Sequence, residues 1–177
     1  VAEPWDNVGL QVGSGCIPCR TVLTCLTVTE DVVDYAAEIG VDLVVAHHPL
    51  IFEPLKSIVL EQPTGRIIRK LLMHQISLFV AHTNIDKAVG GLNDWLAEAL
   101  GLMDVRLLES QEGETMGYGR IGRLASPLTL GSLVKLVAET LGTKTVRFVS
   151  ASNKPIKQVD VSSGSGSHQW SLALEQG

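Results

Sequence analysis

The chain has 177 residues, of which 45% are apolar, 19% charged and 5% aromatic, with 17 glycines. That composition lies outside the disordered, collagen-like and disulfide-scaffold classes, and a chain of this length buries roughly 70% of its unfolded surface without staples. A net charge of −5, with 14 scattered basic residues, excludes a general grip on nucleic acid or acidic membranes. No apolar run approaches the roughly 20 residues that span a bilayer. The opening VAEPWD has no basic segment leading into an apolar one, so it is not read as a signal peptide. It also lacks an initiator Met, so residues are expected before it. Three Cys do not make a secreted disulfide framework. A cytoplasmic protein is expected, of one domain or two small lobes.

Residues 21–28 (TVLTCLTV) are β-branched and apolar and read as a buried strand. Thr29 then offers an N-cap, Glu30 and Asp31 suit the first turn of a helix, and Val32, Val33, Ala36 and Ala37 form its apolar stripe. Gly40 sits where a glycine ends a helix, and residues 41–46 (VDLVVA) form a second strand. This tight strand–helix–strand unit makes the two strands parallel. The pattern repeats: Thr64 is expected to cap a helix carrying Ile67, Ile68, Leu71 and Leu72, and residues 76–81 give a third strand. A further helix over 92–100 is expected to bury Leu92, Trp95, Leu96 and Ala99. Three near-continuous apolar strands predict a parallel sheet covered on both faces. Residues 103–116 (MDVRLLESQEGETM) turn polar and read as a linker or lobe boundary. Beyond it, 117–124, 145–149 and 158–162 are expected strands, with a helix over 129–141.

The chemistry gathers at strand ends. His47-His48-Pro49 lies at the carboxyl end of the second strand, where ligands bind in open parallel sheets. Adjacent strand side chains normally diverge, but Pro49 restrains His48 and ends the strand. Two histidines leaving a strand together fit two ions of one metal cluster; the plain alternative is a hydrogen-bonded surface pair. His82-Thr83-Asn84-Ile85-Asp86 lies at the end of the third strand. Imidazole and carboxylate ligands on neighbouring strand ends suit Zn, Fe, Mn or Ni. His82 also fits a buried hydrogen-bonded histidine, and Asp86 a turn before Gly90-Gly91. Cys16-Ile17-Pro18-Cys19 lacks the second cysteine pair of a structural zinc site and precedes a strand rather than opening a helix, so a plain loop is favoured. Within the low-complexity SSGSGS stretch at 162–167, the GSGS segment at 164–167 lacks both GxGxxG and a P-loop lysine and reads as a flexible turn.

These segments carry a resemblance. Residues 3–13 (EPWDNVGLQVG) resemble the opening of the NIF-three-like proteins (NGG-one-interacting-factor-three-like), known also as GTP cyclohydrolase 1 type 2 homologues or dinuclear metal centre proteins. AHHPLIF at 46–52, AHTNID at 81–86 and GYGRIGRL at 117–124 resemble further motifs of that family, in order, across residues 2 to about 166. The resemblance implies a two-lobed α/β protein with two divalent ions, usually a homohexamer, in which His47, His48 and Asp86 are metal ligands and His82 lines the same pocket. It also implies hydrolysis assisted by the two ions, at C8 of the purine of GTP if the cyclohydrolase label holds, with His82 as proton shuttle. The family's late His-x-x-x-Glu pair has no counterpart here beyond His168 and Glu175, so the metal site is expected to be incomplete as written.

The expected fold is α/β: a parallel-sheet βαβ lobe carrying the metal site (1–107) and a second, smaller α/β lobe (108–177), incomplete at its C-terminus. The leading functional expectation is a dinuclear metal-dependent hydrolase acting on a nucleotide-like small molecule. Two alternatives are a non-enzymatic metal-binding scaffold or regulatory interaction protein, and a redox protein using Cys16 and Cys19.

Overall fold

The computed structural model describes residues 2–109 and 115–176. The chain forms two compact units, Ala2–Ile85 and Asp86–Gly177, so residues 86–107, which the sequence reading grouped with the first lobe, fall with the second.

The first unit is built on a four-stranded sheet. Strand β1 (Gly9–Val12) is followed by β2 (Val22–Thr27), helix α1 (Glu30–Glu38), β3 (Leu43–His48), α2 (Pro63–Met73) and β4 (Ser77–Val80). The sheet order is β1-β4-β3-β2, with β2, β3 and β4 parallel as the βαβ pattern requires. The edge strand β1 pairs antiparallel with β4, which the sequence reading did not assign. Gly13, φ +97°, ends it: a Cβ there would stand 2.7 Å from Ser77 Cα, so only glycine lets the chain pass this close to the start of β4.

Thr29 caps α1 as expected, its hydroxyl accepting from Val32 N, and Gly40 turns the chain at φ +70°. In α2 the cap differs from expectation. Gln62 is the N-cap, Pro63 opens the helix where its missing N–H costs nothing, and Thr64 lies inside the first turn. Strand order runs β2, β3, β4 without reversal, so two right-handed crossovers place both helices on one face. Helices α1 and α2 are tied there by Arg66 to Glu30 (2.9 Å) and Lys70 to Asp34 (2.7 Å). Val33, Ala36, Val44, Ala46, Ile67, Ile68, Leu71, Leu78 and Val80 make an apolar core beneath them. The expectation of a sheet covered on both faces is corrected: Leu10, Val22, Leu26 and Phe79 on the opposite side stay exposed.

The short helix α3 (Thr83–Lys87) leads the chain from the first unit into the second, which contains α4 (Leu92–Ala99), β5 (Met103–Leu107), β6 (Arg120–Leu128), α5 (Leu130–Thr140), β7 (Ile156–Val161), a 3-10 turn (Gly166–Gln169) and α6 (Trp170–Glu175). Its sheet, β5-β6-β7, is antiparallel throughout. The predicted linker is corrected here: 103–107 is a strand, while 110–114 lies outside the described residues. Residues 145–149, expected as a strand, have no strand partner among the described residues, and Val149 is 92% exposed. Helix α4 turns Asn93 and Ala97 inward, not Trp95, which is 53% exposed, or Ala99.

Candidate metal centre

Strand β3 runs to His48, whose last partner on β2 is Thr27, and Pro49 then removes the donor that would continue the ladder. On the other side, Ala81 N donates to Ala46 O and β4 stops, releasing His82 from the sheet. The three imidazoles therefore leave adjacent strand ends together. Ring centroids lie 5.3 Å apart for His47 and His48, 5.2 Å for His47 and His82, and 6.3 Å for His48 and His82. The divergence expected of neighbouring strand residues is overcome because the strand ends at this pair.

Each imidazole is oriented through Nδ1. In His47 it lies 2.9 Å from Ala81 O, and in His82 it lies 2.8 Å from Asp6 Oδ1. A carbonyl and a carboxylate only accept, so in both rings Nδ1 carries the proton and donates. In the neutral ring this leaves the lone pair of Nε2 for a cation or a proton, the arrangement found in metal-ligating histidines. His48 Nδ1 meets Thr27 Oγ1 at 2.8 Å, a partner that either donates or accepts.

Asp6 is the residue that sequence reading missed. Its side chain is fully buried, and besides His82 it accepts from the backbone N and the hydroxyl of Thr83. Burial alone pushes its carboxyl up, but the hydrogen bonds from Thr83 and His82 outweigh that and hold it below the usual aspartate value. It stays charged and fixes both the His82 ring and the start of α3. The bond spans 76 residues, so no local pattern reveals it; only the tryptophan–aspartate–asparagine opening hinted at it.

Asp86 lies beyond β4 but in helix α3 rather than a turn, and is 6% exposed, with Oδ1 accepting from Ser163 Oγ at 2.7 Å and its carbonyl accepting from Asn93 Nδ2. Asn93, fully buried, also accepts from Ser163 N. Ser163, in the low-complexity stretch, thus holds Asp86 within the second unit. Cys16 and Cys19 are exposed free thiols, and Cys25 on β2 has its thiol pushed up by burial.

In their chemistry, imidazoles with Nδ1 engaged suit a borderline divalent ion. Among the described residues, however, no three His, Cys, Asp or Glu side chains converge as a ready-made metal group. No helix of the described residues is long and apolar enough to cross a membrane.

Fold and site together define a mixed α/β protein whose parallel strands end in a histidine cluster. The chain belongs to the family Duf34/NIF3 (NGG1p interacting factor 3), whose profile matches residues 1–177. It is 37% identical over 169 residues to a Clostridium perfringens protein named GTP cyclohydrolase 1 type 2 homolog, covering 93% of this chain and 63% of that one. A Streptococcus pneumoniae protein of the same name is 35% identical, over 97% of this chain and 66% of its own length. Among solved structures, a Bacillus cereus protein related to NIF3 superposes with a TM-score of 0.92 at 28% identity, covering 99% of this chain and 75% of that one. A Staphylococcus aureus protein gives 0.90 at 31% identity, covering 99% and 70%.

Proposed function

We propose that the protein binds two divalent metal ions and acts as a metal-dependent hydrolase on a nucleotide-like small molecule. The observation that carries this reading is the pairing of His47 Nδ1 with Ala81 O and of His82 Nδ1 with Asp6, which leaves Nε2 of each ring for other work. His47, His48 and Asp86 are the proposed metal ligands, the ions being Zn, Fe, Mn or Ni. When bound, such ions supply Lewis acidity for hydrolysis. The chain's own residues supply the rest. His82 takes or gives a proton at Nε2, and the buried Asp6 carboxylate stabilises the imidazolium that results. Ser163 orients Asp86 by donating to Oδ1, which leaves Oδ2 as its second donor atom.

The relatives' name, GTP cyclohydrolase 1 type 2 homolog, supports a purine nucleotide as the first substrate to test. Assembly as a homohexamer and a cytoplasmic location belong to the same proposal; free, unpaired thiols agree with the latter. The test is elemental analysis of full-length protein with metal counted per chain, followed by incubation of the loaded protein with GTP under ultraviolet absorbance. Two ions per chain and a changing purine spectrum are expected; Asp86→Ala protein that still holds two ions refutes the ligand assignment, and an unchanged spectrum refutes the substrate. His82→Ala is expected to keep metal and lose hydrolysis. The family description names an interacting factor, which favours a second reading as a non-enzymatic scaffold. A protein partner bound equally by a His47→Ala, His48→Ala double variant would support that reading.

A further inference from the structure

We infer that Trp5 and Phe52 form a ring-recognition platform beside the histidine cluster, selecting ligands that present a planar aromatic or heteroaromatic ring. The inference deepens the proposed function and rests on its placement of the site. Trp5 is 60% exposed and Phe52 45% exposed, so both present aromatic surface that a ligand's ring can cover. Their centroids are 6.4 Å apart at 57°, and Phe52 stands edge-on to His82 at 6.4 Å and 86°. Phe52 thus touches both Trp5 and the proposed proton shuttle.

Exposure here does not come from looseness. Ile51, just before Phe52, is clamped on both backbone groups by Gln11: its N–H donates to Gln11 Oε1, and its carbonyl accepts from Gln11 Nε2, each at 2.9 Å. Asn7 Nδ2 donates to the same carbonyl. Trp5 precedes Asp6, whose buried carboxylate is bonded to Thr83 and His82. Two exposed aromatics carried on fixed backbone are pre-organised to that extent, so binding a ring pays little to order the chain that bears them. Stacking reads a flat π-face rather than a hydrogen-bond pattern, so the platform selects for a ring and tolerates different bases.

The test is calorimetric binding to the full-length protein, with and without Zn2+, using GTP, ATP and UTP against inorganic tripolyphosphate. All three nucleotides are expected to bind more tightly than tripolyphosphate. Trp5→Leu and Phe52→Leu are each expected to weaken nucleotide binding roughly ten-fold, within the range of base–aromatic stacking, and to leave tripolyphosphate unchanged. Trp5→Phe and Phe52→Tyr are expected to stay near wild type. Three results overturn the inference: wild-type protein that binds nucleotides no better than tripolyphosphate, leucine variants that bind nucleotides as wild type does, or leucine variants that change only the oligomeric state, which assigns the rings to a contact between copies. Ring-dependent binding by a protein that takes up no metal would instead leave the platform standing and sink the metal-hydrolase reading.

Discussion

In the first unit His82 spends one ring nitrogen on Asp6 and keeps the other; in the second, Arg120 spends its whole guanidinium. Arg120, 3% exposed, donates from Nε and Nη2 to the Asp94 carboxylate and from Nη1 and Nη2 to the carbonyls of Gly117, Gly119 and Ala88. A cation with every donor satisfied organises the chain around it and offers nothing to a ligand. An imidazole held through one nitrogen is equally well placed but chemically unfinished. The two units also differ in what surrounds these groups. The first has a continuous apolar core under its helices, whereas the second relies on a smaller cluster of Ala97, Leu100, Leu102 and Val161, so its partly buried ion pair carries more of its architecture.

The sharpest way to break this contrast is to remove the partner of the saturated cation. Asp94→Ala leaves a buried guanidinium without its counter-charge and is expected to destabilise the second unit by about 3 kcal/mol, read by urea unfolding. The pair also has a pH signature. The Arg120 hydrogen bond holds the Asp94 carboxyl below its ordinary value of 3.8, against a smaller opposing push from burial. Its contribution is therefore fully present above that ordinary value and is lost as pH falls through the lower folded one. Asp94→Asn is expected to lack that acid-induced loss, which unfolding midpoints across the acid range would show.

Gly13→Ala is expected to cost about 1–3 kcal/mol in the first unit, because the new Cβ is strained at φ +97° and meets the backbone of Ser77. A thermal shift in the isolated variant checks it. Smallest of all, His48→Ala is expected to change stability by no more than about 0.5 kcal/mol, since the residue is exposed and its ring is bonded to the exposed Thr27 hydroxyl. If instead His48→Ala unfolds the protein as readily as Asp94→Ala does, the histidine cluster is structural and the contrast fails.

How much of this was legible in the sequence follows from the range of the interactions. Helix α1, its Thr29 cap and the parallel strands β2 to β4 were readable because propensity, capping and apolar patterning act within a few residues. The histidine motifs were placed at strand ends for the same reason. Strand β1 escaped because it is short, begins at Gly9 and is followed at once by Gly13, and pairs with β4 far along the chain. Strand β5 read as a linker because four of its five residues, from Met103 to Arg106, are exposed at a sheet edge, which leaves no apolar run. Residues 145–149 show the converse: a strand-like pattern stays irregular without a partner. In the site, the pairings of Asp6 with His82, of Gln11 with Ile51 and of Ser163 with Asp86 join residues 40 to 77 positions apart, and no periodicity encodes them.

The central claim is that His47 and His82 are held through Nδ1–H with Nε2 left open. Two-bond proton–nitrogen correlation spectra of the histidine-labelled protein, recorded at mildly alkaline pH before and after adding Zn2+, test it directly. The account predicts protonated Nδ1 and bare Nε2 for both rings, with Zn2+ shifting the Nε2 resonance of His47. Protonated Nε2 in either ring of the metal-free protein would contradict it.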